Sequence, residues 1–542
     1  HYLTLNQLSS VHQLIGNQEE SLRYLAILSD DYGLDLEAYR GWPLIKLGRF
    51  EEAGISARRV LNGEDVDPFA AAQAWNTLCA VELANPSERL KAPACDRALA
   101  LDEAALAAGE ELSTVTLTNA AEVALSRLQI ATAESLVDRA TRRPNPNSVS
   151  NPWIQKVYLS LAQGRFEQAQ RALEQMLVWR DRQEPLITVS NRAEHYLAGA
   201  TLLLLAGYTE DSARLAGSAL DQPDRNGNFS ADDSQKDAIA ALITTLALRA
   251  DYQSQLESAA AAEGTQRLSL RARAQGTRLA AWRAERRAAS LFADEAVMIN
   301  RLRPYAPLDV HIPEWMEPEI ASLLGAGAFE SLLQAAHRSD AFVGASGYGH
   351  AFQTEVASLR EEDDELIRSG ELALEQLPHA EVALRARVQW HIAQAQYRSG
   401  RINSALDHFA ASLRQDPSLA RRLGQSIPVT LTTDGSPQAQ SIRDKLIASP
   451  RFRGADLGLR LEIGADSVCL LDQEGIALSC YTAQPIADGD ADSPETRVAR
   501  EFQRQLFSVG IELSKAQRSV LRGASVVLRS QSTRDASPVP NF

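Results

Sequence analysis

Between Gln389 and Pro417 the chain reads QWHIAQAQYRSGRINSALDHFAASLRQDP, with apolar and small residues recurring at helical spacing on both sides of one break. Ile392, Ala393 and Tyr397 lie on a first helix, and Gly400 permits a turn. Ala405, Phe409 and Ser412 follow at intervals of four and three, which puts them on one face of a second helix. Pro417 ends that helix, because proline lacks the amide hydrogen that continuation requires. The pattern predicts a helical hairpin.

The same layout recurs along the chain. WIQKVYLSLAQGRFEQAQRALEQM carries Trp153, Gly164, Ala169, Leu173 and Met176, and YRGWPLIKLGRFEEAGISARRVL carries Gly48, Ala53, Ala57 and Val60. Fainter copies centre on Gly16 and Gly207, with Ser21 and Ser212 at the small position. A small residue there lets two helices approach closely, while larger apolar side chains fill the remaining core. Spacing between the turn glycines is irregular, so insertions or degenerate units lie between the clear ones.

These units resemble the tetratricopeptide repeat, which has an early aromatic or apolar residue, then small residues, an aromatic and a closing proline at set positions. The Gln389–Pro417 unit supplies Ala393 in place of the early glycine, then Ala405, Phe409 and Pro417. The other good unit has Trp153 and Ala169, but Leu173 stands where the aromatic belongs. The resemblance implies a mostly α protein, an α-solenoid of such hairpins, whose first helices line a concave surface used for a protein or peptide partner. On that basis the partner-binding residues are Lys156 and Tyr158, beside Gln155, and Gln389, Gln394, Gln396 and Arg398. Amide and charged side chains suit an extended peptide backbone or its carboxylate. A polar outer face is equally what any exposed helix needs.

Two changes of texture divide the chain. A helical array is expected over 1–302, and the four prolines of RPYAPLDVHIPEWMEPE open a Pro/Gly-rich connector with short helices over 303–352. DAFVGASGYGHAF, Asp340 to Phe352, reads as a glycine-rich break within it. A second helical segment covers 353–424. After Gln425, short β-prone runs such as LGLRLEIG, SVCLLD and IALSCY predict a small α+β or β-rich module over 425–529, with a disordered tail over 530–542.

The chain has 542 residues, more than one core supports, so several units or one long array are required. Its net charge of −15 disfavours a phosphate-tracking surface, and no nucleic-acid partner is expected. Only six lysines occur among the cations, and the arginine- and alanine-rich composition suggests a bacterial source. No apolar run is long enough to span a bilayer, although a membrane-associated complex stays open. The start at His1 suggests that a preceding segment has been removed.

Four cysteines form two local pairs, Cys79/Cys95 and Cys469/Cys480. A two-residue turn at Glu474-Gly475 would set Cys469 opposite Cys480, whereas a different turn would put them out of register. Disulfides and buried free thiols are both open at this point. The location is bacterial cytoplasm or periplasm, with the pairs leaning towards the periplasm.

No catalytic pattern is complete. Gly344-Ala345-Ser346-Gly347-Tyr348 lacks the last glycine of a nucleophile elbow, so Ser346 and His350 read as loop residues. Asp488, Asp490 and Asp492 lack the glycine and glutamate of a calcium loop, and the nine histidines form no zinc motif. No metal or cofactor is expected. The function expected is a non-enzymatic interaction scaffold or assembly adaptor. The alternative is a regulatory or sensory array whose catalytic domain precedes residue 1.

Overall fold

A computed structural model describes residues 2–14, 17–84, 91–108, 113–127, 129–142, 151–183, 192–220, 230–292, 318–330, 346–483 and 493–509. Within them the chain folds as successive antiparallel helical hairpins, each packed on the next. The first four are Tyr2–Leu14 with Gln18–Tyr32, Glu37–Lys46 with Phe50–Leu61, Pro68–Ala84 with Pro93–Ala107, and Thr114–Ser126 with Ile130–Arg142. Pro152–Ala162 with Phe166–Gln183, Arg192–Leu205 with Thr209–Leu220, and Ser230–Ala261 with Gly264–Phe292 follow. After the short helix Pro318–Leu324 come Ser346–Leu359 with Asp363–Gln376 and Val382–Arg398 with Ile402–Gln415. This is a general helical-repeat architecture.

One turn chemistry builds these hairpins. The Gly48 N–H donates to the Ile45 carbonyl, Arg49 to Leu44, and Ala53 to Arg49. The same three bonds recur around Gly164, Gly207 and Gly400. All four glycines have φ between +67° and +87°, a left-handed conformation that a Cβ disfavours. The small residue five positions later, Ala53, Ala169, Ser212 or Ala405, is completely buried against its partner helix. Gly16 lies outside the described residues, but Asn17 N–H donates to His12 as Arg49 does to Leu44, and Ser21 is buried against Ser9.

A further copy has no glycine. Glu361 takes φ +58° and donates its N–H to Ser358, while Glu362 donates to Ala357 and Leu366 to Glu362. The expected glycine-rich break is also shorter than its sequence suggests, because Ser346 begins a helix. Gly347 allows this. A Cβ there would lie 2.7 Å from the Leu377 backbone nitrogen, so only glycine lets the first turn rest against the end of the neighbouring helix. Residues 331–345 lie outside the described residues.

The largest core runs through the hairpins from Val157 to Ala395 and includes Leu202, Leu242, Phe352, Val356 and Ile392. The array curls back on itself. A Cβ on Gly164 would sit 3.1 Å from Val382 Cγ1, so the fifth hairpin's turn rests on the last hairpin. Arg421, in the short helix Leu419–Leu423, donates to the carbonyls of Leu204 and Leu205, each at 3.4 Å.

The expected terminal module is a five-stranded mixed sheet in the order β2-β1-β3-β4-β5: β1 Ile427–Thr433, β2 Phe452–Gly454, β3 Leu459–Ile463, β4 Ser467–Leu471 and β5 Ala477–Thr482. Strand β1 runs parallel to β2 and β3, and β3, β4 and β5 are antiparallel. In β3, Leu459, Leu461 and Ile463 point inward while Arg460 and Glu462 point out, the period-two pattern of a half-buried strand. The helices Pro437–Ile447 and Pro494–Leu506 start on serine caps, Ser436 and Ser493, and pack against the module.

The module has no core of its own. Trp390, Phe409 and Leu413 of the last hairpin share one apolar cluster with Ile427, Val429, Phe452 and Phe502. The change of texture near Gln425 therefore marks a change of secondary structure within one continuous interior. The expected tail lies outside the described residues.

Candidate functional site

A cleft of about 330 Å³ opens across the first helices of the second, third and fourth hairpins. On Glu37–Lys46, Tyr39 and Trp42 are one turn apart. On Pro68–Ala84, Phe69, Gln73, Asn76 and Ala80 recur at intervals of four, three and four, so one helix face supplies them all. Ser113, Thr114, Val115 and Asn119 close the far side, and Gln13 contributes from the first hairpin.

Close helix packing sets this geometry. A Cβ on Gly41 would meet Thr77 Oγ1 at 2.3 Å, so glycine alone lets these two helices touch. The contact brings the Tyr39 and Phe69 rings to 6.5 Å between centroids, tilted by 42°. Both rings remain about half exposed, at 51% and 56%. Exposed aromatics that cluster with polar groups in a cleft mark contact sites. Asn119 Nδ2 donates to Asn76 Oδ1 at 2.9 Å, bridging two hairpins across the cleft floor. None of the residues lining the cleft carries a formal charge.

The residues expected to bind a partner are placed elsewhere, and three of the six, Lys156, Tyr158 and Gln396, are buried. Tyr158 is buried in the main core. Lys156 is buried and its ammonium is tied to Asp138. Gln396 is buried, Gln389 half-buried, and Gln394 Nε2 donates to Gln425 Oε1 at 2.8 Å. Arg398 is exposed and paired with Asp363. Stacking covers both sides of a middle hairpin, so a polar side chain there can serve as a strut between units. Trp153 and Lys156 do border a second cleft of about 550 Å³, between the helices Ile130–Arg142, Pro152–Ala162 and Phe166–Gln183, where Arg142 and Arg171 stand near Asp138 and Glu174.

A third group of polar residues is a buried ionic hub that the sequence did not reveal. Arg387 donates through Nε and Nη2 to Glu355, at 2.8 and 2.6 Å, and through Nη1 to Glu319 at 2.6 Å. Arg422 pairs with Asp416 and reaches Glu319 at 3.5 Å. Burial opposes the charge on Glu355, but the Arg387 guanidinium and His391 outweigh it and hold the carboxyl well below the usual range. Burial, aided by the nearby Arg451 and Arg422 guanidiniums and opposed by the Glu257 and Asp416 carboxylates, pushes the Arg421 guanidinium down to about 10.

Within this hub Ser358, His391 and Glu355 form a hydrogen-bonded chain, at 3.0 and 2.8 Å, that superficially matches a nucleophile, base and orienting acid. Glu355, however, gives both oxygens to Arg387, and neither cleft opens onto the imidazole. The chain joins two helices, Ser346–Leu359 and Val382–Arg398, and holds them in register. Among the described residues no group of three or more His, Cys, Asp or Glu side chains is arranged to hold a metal ion. Ser346 begins a helix, and Asp488, Asp490 and Asp492 lie outside the described residues.

Both cysteine pairs are disulfides, Cys79–Cys95 and Cys469–Cys480. The second is reached by a different turn from the one expected. Asp472 Oδ1 accepts from the Glu474 and Ile476 amides, making a wider turn, and an irregularity at Leu471 restores the pairing of Cys469 with Cys480.

No protein-family model matches the chain, and no curated protein matches it. Among solved structures, a monomeric mutant of IFIT1 with m7Gppp-AAAA is similar at 15% identity and a TM-score of 0.38, covering 76% of this chain and 90% of that one. A likeness this remote assigns no ligand here. That structure contains a capped RNA, and the exclusion of nucleic acid as a partner, which rested on whole-chain charge alone, is withdrawn as a correction. Whole-chain net charge does not determine the potential inside one cleft. No helix among the described residues is long and apolar enough to cross a membrane.

Proposed function

We propose that this chain is a non-catalytic interaction scaffold or assembly adaptor of tetratricopeptide-like hairpins, which holds a peptide segment of a protein partner in the cleft at Tyr39, Phe69 and Asn76. The observation that carries the reading is the cleft itself, where half-exposed aromatic rings stand beside uncharged amides on the first helices of three consecutive hairpins. Two-helix repeats stack with a small constant rotation, and their first helices then form an extended surface suited to a chain-like ligand. Aromatic anchors supply apolar area at low entropic cost, and side-chain amides match the donors and acceptors of a peptide backbone. The two disulfides suit an oxidising, extracytoplasmic compartment.

The test is selection from a random peptide display library with the intact protein, repeated with Tyr39→Ala/Phe69→Ala. Enriched peptides should bind the parent and lose that binding with the double variant. Peptides that bind both forms equally overturn the reading. So does a labelled single-stranded RNA that binds in a Tyr39- and Phe69-dependent way when no peptide does.

A further inference from the structure

The chemistry of the cleft narrows its ligand. Resting on the peptide-scaffold reading above, we infer that the cleft recognises an uncharged, proline-containing segment in the polyproline II conformation. Three observations converge on this.

First, the Tyr39 and Phe69 rings lie 6.5 Å apart, tilted by 42° and about half exposed, and together form an aromatic wall of the cleft, while Lys46 covers the ring of Trp42 beside them. Rigid pyrrolidine rings pack on such exposed aromatic faces, and aromatic-lined grooves are the common receptors for polyproline II segments.

Second, the polar lining includes side chains that can donate hydrogen bonds as well as accept them. Gln13, Gln73, Asn76 and Asn119 each carry an amide N–H₂, and Ser113 and Thr114 carry hydroxyls. A polyproline II segment has no internal hydrogen bonds, and its prolines have no N–H, so its carbonyls need donors from the receptor.

Third, no lining residue can neutralise a charged side chain, and burying an unpaired charge is costly. The face from Phe69 to Ala80 covers roughly 16 Å at the α-helical rise, the length of about five residues at the polyproline II rise. Because that conformation is already populated in a free proline-rich chain, little ordering entropy is lost on binding.

The experiment is a fluorescence anisotropy titration of the full chain with a labelled, end-capped octapeptide of alternating proline and leucine. Tyr39 and Phe69 are half exposed, so Tyr39→Ala and Phe69→Ala fold, and thermal unfolding provides the check. Saturable binding should be weakened about tenfold or more by either substitution, the scale of an interface anchor. It should change little between low and high salt, since no ion pair is involved. Replacing the prolines with alanine, or the leucines with lysine or aspartate, should each weaken it comparably.

Equal binding of the alanine-substituted peptide overturns the polyproline assignment and leaves the peptide cleft standing. Preferential binding of the lysine or aspartate peptide overturns the uncharged assignment in the same way. If none of these peptides responds to Tyr39→Ala or Phe69→Ala, while the display selection still yields peptides that do, this inference alone fails. If neither experiment yields such a peptide, both readings fail.

Discussion

Arg387 and Glu355 meet through two parallel hydrogen bonds, Nε to Oε2 at 2.8 Å and Nη2 to Oε1 at 2.6 Å, with each side chain only 4% exposed. The pair joins the last two hairpins, and Glu319 on the helix Pro318–Leu324 completes the Arg387 fork. Breaking a buried pair strands the remaining charge, at a cost of about 3–5 kcal/mol. Glu355→Ala should therefore reduce unfolding free energy towards the lower end of that scale, because Glu319 still holds Arg387, as measured by urea denaturation. The double variant Glu355→Leu/Arg387→Met should lose less than Arg387→Met alone, because it leaves fewer stranded charges.

The same carboxylate sets a pH dependence. Its folded pKa is depressed, so its contribution is complete above the unfolded glutamate value of about 4.3 and is lost as pH falls through the folded value. Stability should drop below about pH 4.3 in the parent, and the slope there should be shallower in Glu355→Gln. Denaturation midpoints between pH 3 and 6 provide the measurement.

Gly400 and Gly207 occupy equivalent turns with different surroundings. At Gly400 (φ +79°) a Cβ would have open space, whereas at Gly207 (φ +87°) it would lie 2.5 Å from Arg421 Nη1. Gly400→Ala should cost only the left-handed backbone strain, ~1–2 kcal/mol. Gly207→Ala should cost more, because Arg421 must also give up its carbonyl contacts. Comparing the two melting temperatures separates strain from displacement.

Glu361 presents the reverse case. It is a non-glycine residue at φ +58° in a turn that elsewhere takes glycine. Glu361→Gly should raise stability by up to ~1 kcal/mol, the strain relieved less the greater freedom of glycine in the unfolded chain. A fall in melting temperature would show that the Glu361 side chain contributes more than its backbone strain costs.

These turns also show what sequence can reveal about such a fold. Gly48, Gly164, Gly207 and Gly400 were legible because a left-handed residue favours glycine, and their buried partners five residues on were legible because only a small side chain fits there. The Glu361 turn was hidden because its conformation is imposed by the stacked hairpins rather than by residue type. The cleft was missed for a related reason. Its residues, such as Gln73 and Asn76, occupy positions that the repeat pattern leaves free. Lys156 and Gln396 looked solvent-facing because they are polar, yet each is enclosed by neighbouring helices. Sheet order was out of reach altogether, since β1 lies between β2 and β3 through pairings that no local signal specifies.

The disulfides allow a direct check. Protein made in an oxidising compartment should yield crosslinked peptides joining Cys79 to Cys95 and Cys469 to Cys480 on proteolysis without reductant. Reduction should lower stability by about 2–4 kcal/mol for each bond that closes a loop in the unfolded chain. Free thiols detected by alkylation of the unfolded, unreduced protein would contradict the pairing.

The return of the last hairpin onto the fifth and sixth has a mechanical consequence. Hairpin arrays linked only to nearest neighbours bend as springs, because each joint gives slightly under load. Here Val382 against Gly164, and Arg421 on the Leu204 and Leu205 carbonyls, clamp the later joints together like a bracket. Glu257 and Arg451 add a further bolt between the seventh hairpin and the terminal sheet. Compliance is thereby concentrated in the first four hairpins, which carry the cleft. A partner pulling on Tyr39 and Phe69 would flex that arm while the braced remainder stays stiff.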